Sequence, residues 1–215
     1  MKNHGTAIAI GWHTLHIQVQ IKRKENPHVC VSNDRIHWKP FEGEGKAVSL
    51  DPLTPFEDPD KQYNSDTHLV YRKDIDTLEC YWRQVDNRTR IDKIMKRTTT
   101  DGIHWSKAQN VLVSDARTDR ILSPAIIYEN GRYKMWTVNC KENSLFYTVK
   151  VRWFSLDNSK HDSVKYPSDR LRSWHLDVIH TEKGYEMLVV AFYKGHRHRE
   201  MNLYYTSSKN EHDFK

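Results

Sequence analysis

Short runs of β-branched and aromatic residues, bounded by Gly, Asn, Asp and Pro, fill this chain, and helical periodicity is scarce. Ile17-Gln18-Val19-Gln20-Ile21 alternates strictly, the pattern of a half-buried strand. Residues 42–63 read as a Gly/Pro/Asp-rich connection. Residues 67–71 and 78–82 flank an Asp-rich turn and predict a hairpin, with a third strand over 91–100. The order then restarts. Residues 123–128 and 132–138 flank Glu129-Asn130-Gly131, and Asn-Gly between apolar runs is a strong hairpin signal. Residues 144–154 supply the next strand. A last set follows at 174–179, 185–192 and 202–206, with its turn at Glu182-Lys183-Gly184.

A phrase punctuates these runs. Ser32-Asn33-Asp34-Arg35-Ile36-His37-Trp38 returns as Thr99-Thr100-Asp101-Gly102-Ile103-His104-Trp105, and a worn copy runs from Ser207-Ser208-Lys209-Asn210 to Phe214. The Asp residues are expected to close turns, and Trp38 and Trp105 to be buried anchors between sheets. Equivalent strand starts at Asp66, Ser123 and Asp177 give units of about 55 residues, the scale of a propeller blade. Three units are complete and residues 1–41 hold the tail of a fourth, so the chain reads as cut at both ends of a ring. The expected fold is all-β, a partial β-propeller.

Composition changes the picture only in part. Apolar residues are 37% of the 215, but seven Trp and eleven Tyr add bulk to the core. The formal net charge of +6 is scattered, with Lys22-Arg23-Lys24 and residues 196–199 the dense groups. A nucleic-acid footprint asks for one basic stripe, so nucleic acid is not an expected partner. Attraction to an acidic glycan through the general field stays open. Cys30, Cys80 and Cys140 have neither metal-ligand nor Cys-x-x-Cys spacing and read as core thiols of a reducing compartment. No apolar run approaches the roughly 20 residues of a membrane span, and the N-terminal patch is too short for a signal core. The expectation is cytoplasmic synthesis with no membrane partner.

Residues 64–71, 100–106, 122–136 and 174–178 together resemble the five-bladed propellers of the glycoside hydrolase family 43/32/68 type, with the nearest likeness to sugar-hydrolase-like propellers of phage tail regions and Firmicutes. The resemblance covers residues 26–215 as one propeller domain of about three to four blades, and leaves 1–25 unmatched. It implies a carbohydrate-active protein that hydrolyses or binds an oligosaccharide or carbohydrate polymer. The alternative is a non-catalytic glycan-binding or structural module, with phage structural proteins as partners and virion association. No cofactor and no metal are implied.

Glycoside hydrolysis needs two carboxylates. By the resemblance, Asp66 matches the second-blade acid, which tunes or positions, and Asp177 matches a fourth-blade position. The third-blade acid falls at Ser123, which carries no carboxyl group, and the first-blade strand has no counterpart. Asp66 after Asn64-Ser65 also suits a turn cap. The candidate catalytic residues are therefore Asp66 and Asp177, and the candidate substrate-binding residues His68, Ser123, Trp174 and His175. An incomplete acid set leads to the expectation of little or no glycosidase activity with weak glycan affinity.

Overall fold

A computed structural model of the protein describes residues 7–12, 27–40, 42–43, 46–47, 61–140, 150–156, 161–165, 170–193, 195 and 200–215. The alternating run 17–21, the basic groups at 22–24 and 196–199, most of the connection 42–63 and residues 144–149 lie outside them. The described strands are β1 (Ala7–Trp12), β2 (Pro27–Ser32), β3 (Lys39–Pro40), β4 (Glu42–Gly43), β5 (Lys46–Ala47), β6 (Gln62–Arg72), β7 (Thr77–Asp86), β8 (Ile91–Thr99) and β9 (Gln109–Asp115). After one helical turn, α1 (Ala116–Asp119), come β10 (Arg120–Glu129), β11 (Arg132–Cys140), β12 (Lys150–Ser155), β13 (His161–Ser163), β14 (Leu171–Thr181), β15 (Gly184–Tyr193) and β16 (Asn202–Ser208).

The sheets run in sequence order: β1-β2-β3, the small β4-β5 pair, β6-β7-β8-β9, β10-β11-β12-β13 and β14-β15-β16. The pairs β1–β2, β6–β7, β10–β11 and β14–β15 are antiparallel, the last three as short hairpin connections dictate. All three expected hairpins form, and the four-stranded sheets gain outer strands β9 and β13. Strand β1 lies within the unmatched segment and pairs with β2 along its whole length. The chain divides into two compact units, Met1–Thr89 with Met95–Asn110, and Arg90–Ile94 with Val111–Lys215.

Turn chemistry explains the hairpins. Asn130 and Gly131 both take positive φ, 49° and 79°, as a two-residue turn between twisted strands requires. Gly184 sits at φ 116° with its α-carbon against the Ser208 carbonyl; a Cβ there would come within 2.3 Å of that oxygen.

Burial is two-sided in the central strands. In the first unit Glu79, Cys80, Tyr81, Trp82 and Arg83 are buried in succession. The polar members carry their partners with them: Tyr81 Oη donates to Glu79 at 2.8 Å and Trp82 Nε1 to Asn64 Oδ1 at 2.8 Å. In the second unit Ile121–Ile126 and Met135–Val138 are buried without a break. There Leu122, Ala125, Trp136 and Val138 pack with Leu176, Val178, Met187 and Val189 in one apolar cluster. The sheet β14-β15-β16 is one-sided: Ile179, Leu188, Leu203 and Tyr205 stay exposed on its other face.

The phrase is a hydrogen-bonded turn. The Thr99 hydroxyl accepts from the backbone N–H groups of Asp101 and Gly102 at 3.3 and 2.9 Å and donates to Asp101 Oδ1. Asp101 Oδ1 then accepts from Ile103 and His104 N–H, both at 2.8 Å, and Oδ2 meets His104 Nδ1 at 2.7 Å. Ser32, Asp34 and His37 repeat the pattern, with a 2.6 Å carboxylate–imidazole contact. In the third copy Asn210 stands in the Asp place, accepts from His212 and Asp213 N–H, and donates through Nδ2 to Asp213 at 3.0 Å. The His side chain and then the backbone N–H donors hold the Asp34 and Asp101 carboxyls well below the ordinary range.

Two sequence expectations need correction. Trp38 is 43% exposed and Trp105 only half-buried, its Nε1 donating to Gly102 O at 3.1 Å. The turn closes through the hydroxyl and carboxylate, so neither indole is needed as a buried anchor. Cys80 is buried, its thiol pushed up by burial, whereas Cys30 is only half-buried.

Trp136, with 0% exposure, should cost about 3–5 kcal/mol when replaced by Ala. Trp38→Ala should stay under about 1 kcal/mol, as at other surface sites. Urea midpoints at constant m-value check both. Because the Asp34 and Asp101 carboxyls are lowered in the folded state, their stabilisation is present above about pH 4 and is lost as pH falls below it. The double variant Asp34→Asn, Asp101→Asn should therefore lose stability less steeply on acidification, read as a shallower urea-midpoint profile.

Candidate functional site

Strands β6, β10 and β14 each carry a break in register near their start. In β6 the pairing jumps from Ser65–Arg83 to His68–Tyr81, leaving Asp66 and Thr67 opposite Trp82 alone. In β10 it jumps from Leu122–Val138 to Ala125–Trp136, leaving Ser123 and Pro124 opposite Thr137. In β14 the shift falls between Ser173 and His175, so Trp174 is the extra residue. Bulges of this kind re-aim side chains and concentrate near functional sites. Asp66 and Ser123 hold left-handed backbones, φ 54° and 48°. Non-glycine residues take that conformation at a cost the surroundings must offset. The sequence aligned Asp177 with Asp66 and Ser123; the bulge in β14 falls three residues earlier.

In the first unit the Asp66 carboxylate is deeply buried. Arg83 Nε stands 3.0 Å from its Oδ2, with both side chains about 5% exposed, and Ser65 Oγ donates to its Oδ1 at 3.2 Å. Arg83 Nη2 also donates to Ser65 Oγ, at 3.4 Å. The bulge thus turns Asp66 onto an arginine of the neighbouring strand. His68, half-buried, is the first residue paired again beyond it.

In the second unit Ser123 Oγ contacts His175 Nδ1 across β10 and β14. Trp174 stands edge-on to His175, ring centroids 5.6 Å apart at 86°. Thr137 Oγ1 donates to Leu122 O at 2.6 Å and ties down the carbonyl just before the bulge. Three predicted binding residues, Ser123, Trp174 and His175, thereby meet at one place. Asp177 is exposed, and its Oδ1 accepts the Val178 N–H at 2.9 Å. Among the described residues no group of three His, Cys, Asp or Glu is placed to hold a metal ion.

Two features escaped the sequence reading. Arg83 gave no signal beyond being a basic residue in a β-rich run; its register opposite Ser65 makes it the partner of Asp66. A second polar cluster lies at the far ends of β10 and β14, about 20 Å from the bulges at strand rise. Lys134 Nζ meets Glu129 and donates to Tyr185 Oη and Glu211 Oε1, both at 2.6 Å, while His180 Nδ1 lies 2.7 Å from Glu129. Burial and the hydrogen bond to Glu129 push the Tyr185 hydroxyl up to about 12. These groups are tied to one another, as a structural clamp requires.

Comparison with known proteins agrees with this architecture. No family model matches the chain. The type A blood N-acetyl-α-D-galactosamine deacetylase of Flavonifractor plautii is 26% identical over 152 residues, 56% of this chain and 19% of that protein. The solved structure of an N-acetylgalactosamine deacetylase from F. plautii, in complex with blood group B trisaccharide, superposes with a TM-score of 0.75 at 22% identity, covering 97% of this chain and 63% of that one. A Bombyx mori GH32 β-fructofuranosidase gives 0.64 at 11% identity over 96% of this chain and 46% of that one. This chain thus spans less than two thirds of each. The likeness shows the fold: an all-β chain of antiparallel sheets of the β-propeller type.

Removing one member of a buried ion pair leaves a buried charge and costs about 3–5 kcal/mol. Arg83→Met should lose that much, and the double variant Asp66→Leu, Arg83→Met should recover part of it. A double-mutant cycle in urea measures the coupling.

Proposed function

We propose that this protein is a carbohydrate-active propeller in which the bulged starts of β10 and β14 form a glycan-binding mouth. The observation that carries the reading is the meeting of Ser123, His175 and Trp174 at the bulges of β10 and β14. A hydroxyl, an imidazole and an indole offer hydrogen bonds and an aromatic surface, the complement of a sugar's hydroxyls and its apolar C–H face. The relationship to a blood-group N-acetylgalactosamine deacetylase supports amino-sugar-containing oligosaccharides as the first ligands to test. In a hydrolytic reading, Asp66 of the first unit takes a tuning or positioning role through Arg83, with His68 next along β6; in the second unit Asp177 is the exposed carboxylate further along β14.

Binding without turnover is the second reading, and a specific observation favours it. The bulge of β10 presents a serine where the resemblance expects an acid, and the Asp66 carboxylate is already engaged by Arg83. The finer architectural reading is a ring of five blades to which these sheets contribute. The unit length of about 55 residues supports it. So does the exposed apolar face of β14–β16, which matches the face that packs on the neighbouring sheet on the other side.

A panel of neutral glycans, including blood group A and B trisaccharides, arabinan and fructan oligosaccharides, tests binding by calorimetry. Weak binding is expected, reduced about tenfold or more by Trp174→Ala or His175→Ala, a loss of roughly 1.4 kcal/mol. Aryl-glycosides run beside Asp66→Asn and Asp177→Asn should show little turnover. Robust hydrolysis abolished by either variant would overturn the binding-only reading, and no affinity for any glycan would overturn both.

A further inference from the structure

A cleft of about 550 Å³ opens at the end of β16, remote from the bulged strand starts. Its wall carries Lys165, Lys183, Lys209 and Lys215 together with Asp213 and the buried Phe214. Four lysines and a single acidic side chain therefore line it. That carboxylate is shared: Asp213 accepts from Asn210 Nδ2 at 3.0 Å and lies 3.4 Å from Lys165 Nζ. Lys209 Nζ is held at the rim by the Lys183 carbonyl, at 2.8 Å, which brings a second ammonium group beside the Lys183 backbone. Among the described residues, no Asp or Glu forms an ion pair with Lys183, Lys209 or Lys215.

The wall is also built rather than draped. The third turn phrase fixes Asn210 and Asp213 by Ser208 Oγ and backbone N–H bonds. Lys165 N–H donates to His212 O at 2.7 Å, and the Lys215 backbone exchanges hydrogen bonds with Ser207. Like charges gathered on a fixed concave wall repel one another and attract a counter-anion, and a concave shape focuses that field. The volume falls within the range of small-ligand clefts, roughly 300–1,000 Å³.

We propose that this cleft is a second saccharide site, selective for sugars that carry sulfate, phosphate or carboxylate groups. Lys183 and Lys209 are the principal anion contacts, and Phe214 and Ser207 complete the wall. The saccharide part of the inference rests on the glycan reading above, while the anion part stands on the cleft alone.

Calorimetry with a sulfated oligosaccharide and its desulfated counterpart tests it, using the full chain. The sulfated ligand should bind at least about tenfold more tightly at low salt. That advantage should shrink as ionic strength rises toward physiological values, where screening extends over about 8 Å. Lys183→Gln with Lys209→Gln should remove the preference. Inorganic sulfate alone, as competitor, reports how much of the recognition belongs to the anion. Equal affinity for the two ligands, an unaltered preference in the lysine variant, or equally tight binding of a DNA oligonucleotide would each overturn the proposal. If the neutral panel fails while the sulfated ligand binds through the lysines, the bulged mouth is refuted and this cleft is not.

Discussion

The structure depends on burying strands on both faces in a chain with few apolar residues. Glu79, Arg83, Asn64, Asp92 and Thr137 lie within the most buried strands. A polar group in such a place is tolerated only when it has a partner, because desolvation is otherwise uncompensated. The core is accordingly threaded with fixed polar contacts: Trp82 to Asn64, Tyr81 to Glu79, Thr137 to Leu122 O, Arg83 to Asp66. The contacts that cross strands, Trp82 to Asn64, Thr137 to Leu122 O and Arg83 to Asp66, make the register specific, since a one-residue slip would separate their partners.

That same requirement shapes the candidate site. A bulge breaks the ladder and frees backbone groups, so it survives only where neighbouring side chains hold it. Trp82 and Thr137 sit opposite the two-residue bulges and do this in β7 and β11. The left-handed backbones of Asp66 and Ser123 are then imposed by the sheet rather than chosen by the residue. Chemistry at these positions depends on which side chain the sheet presents. Asp66 meets an arginine and becomes an ion pair. Ser123 meets a histidine and remains neutral hydrogen-bonding surface.

Local features were legible in the sequence. Asn130-Gly131 marked its hairpin because φ > 0 is demanded there, and the turn phrase announced its own hydrogen bonds through the Ser/Thr and Asp spacing. What depended on register was not. The bulge in β14 falls at Trp174, whereas the spacing of equivalent strand starts aligned Asp177 with Asp66 and Ser123, since one extra residue changes no local composition. The pairing of Asp66 with Arg83 joins residues on different strands. Trp38 misled because an aromatic in a repeated phrase invites a packing role, while the phrase closes through its carboxylate. Ser123, Trp174 and His175 were found as separate strand-start residues; their meeting follows from β10 lying beside β14.

The clamp around Lys134 also orders the protein in time. Lys134 reaches Glu129 across its own hairpin turn, but its contact with Glu211 spans 77 residues, and Trp136 donates to the Glu211 carbonyl across 75. At ribosomal rates of about 5–20 residues per second, the β10–β11 hairpin waits roughly 4–15 s for its last partners. During that interval the Trp136 indole N–H lacks its acceptor, and the apolar side of the sheet lacks β14 and β15. The nascent chain therefore passes through a defined window in which this hairpin is the surface a chaperone would hold, and the window closes when the third turn folds.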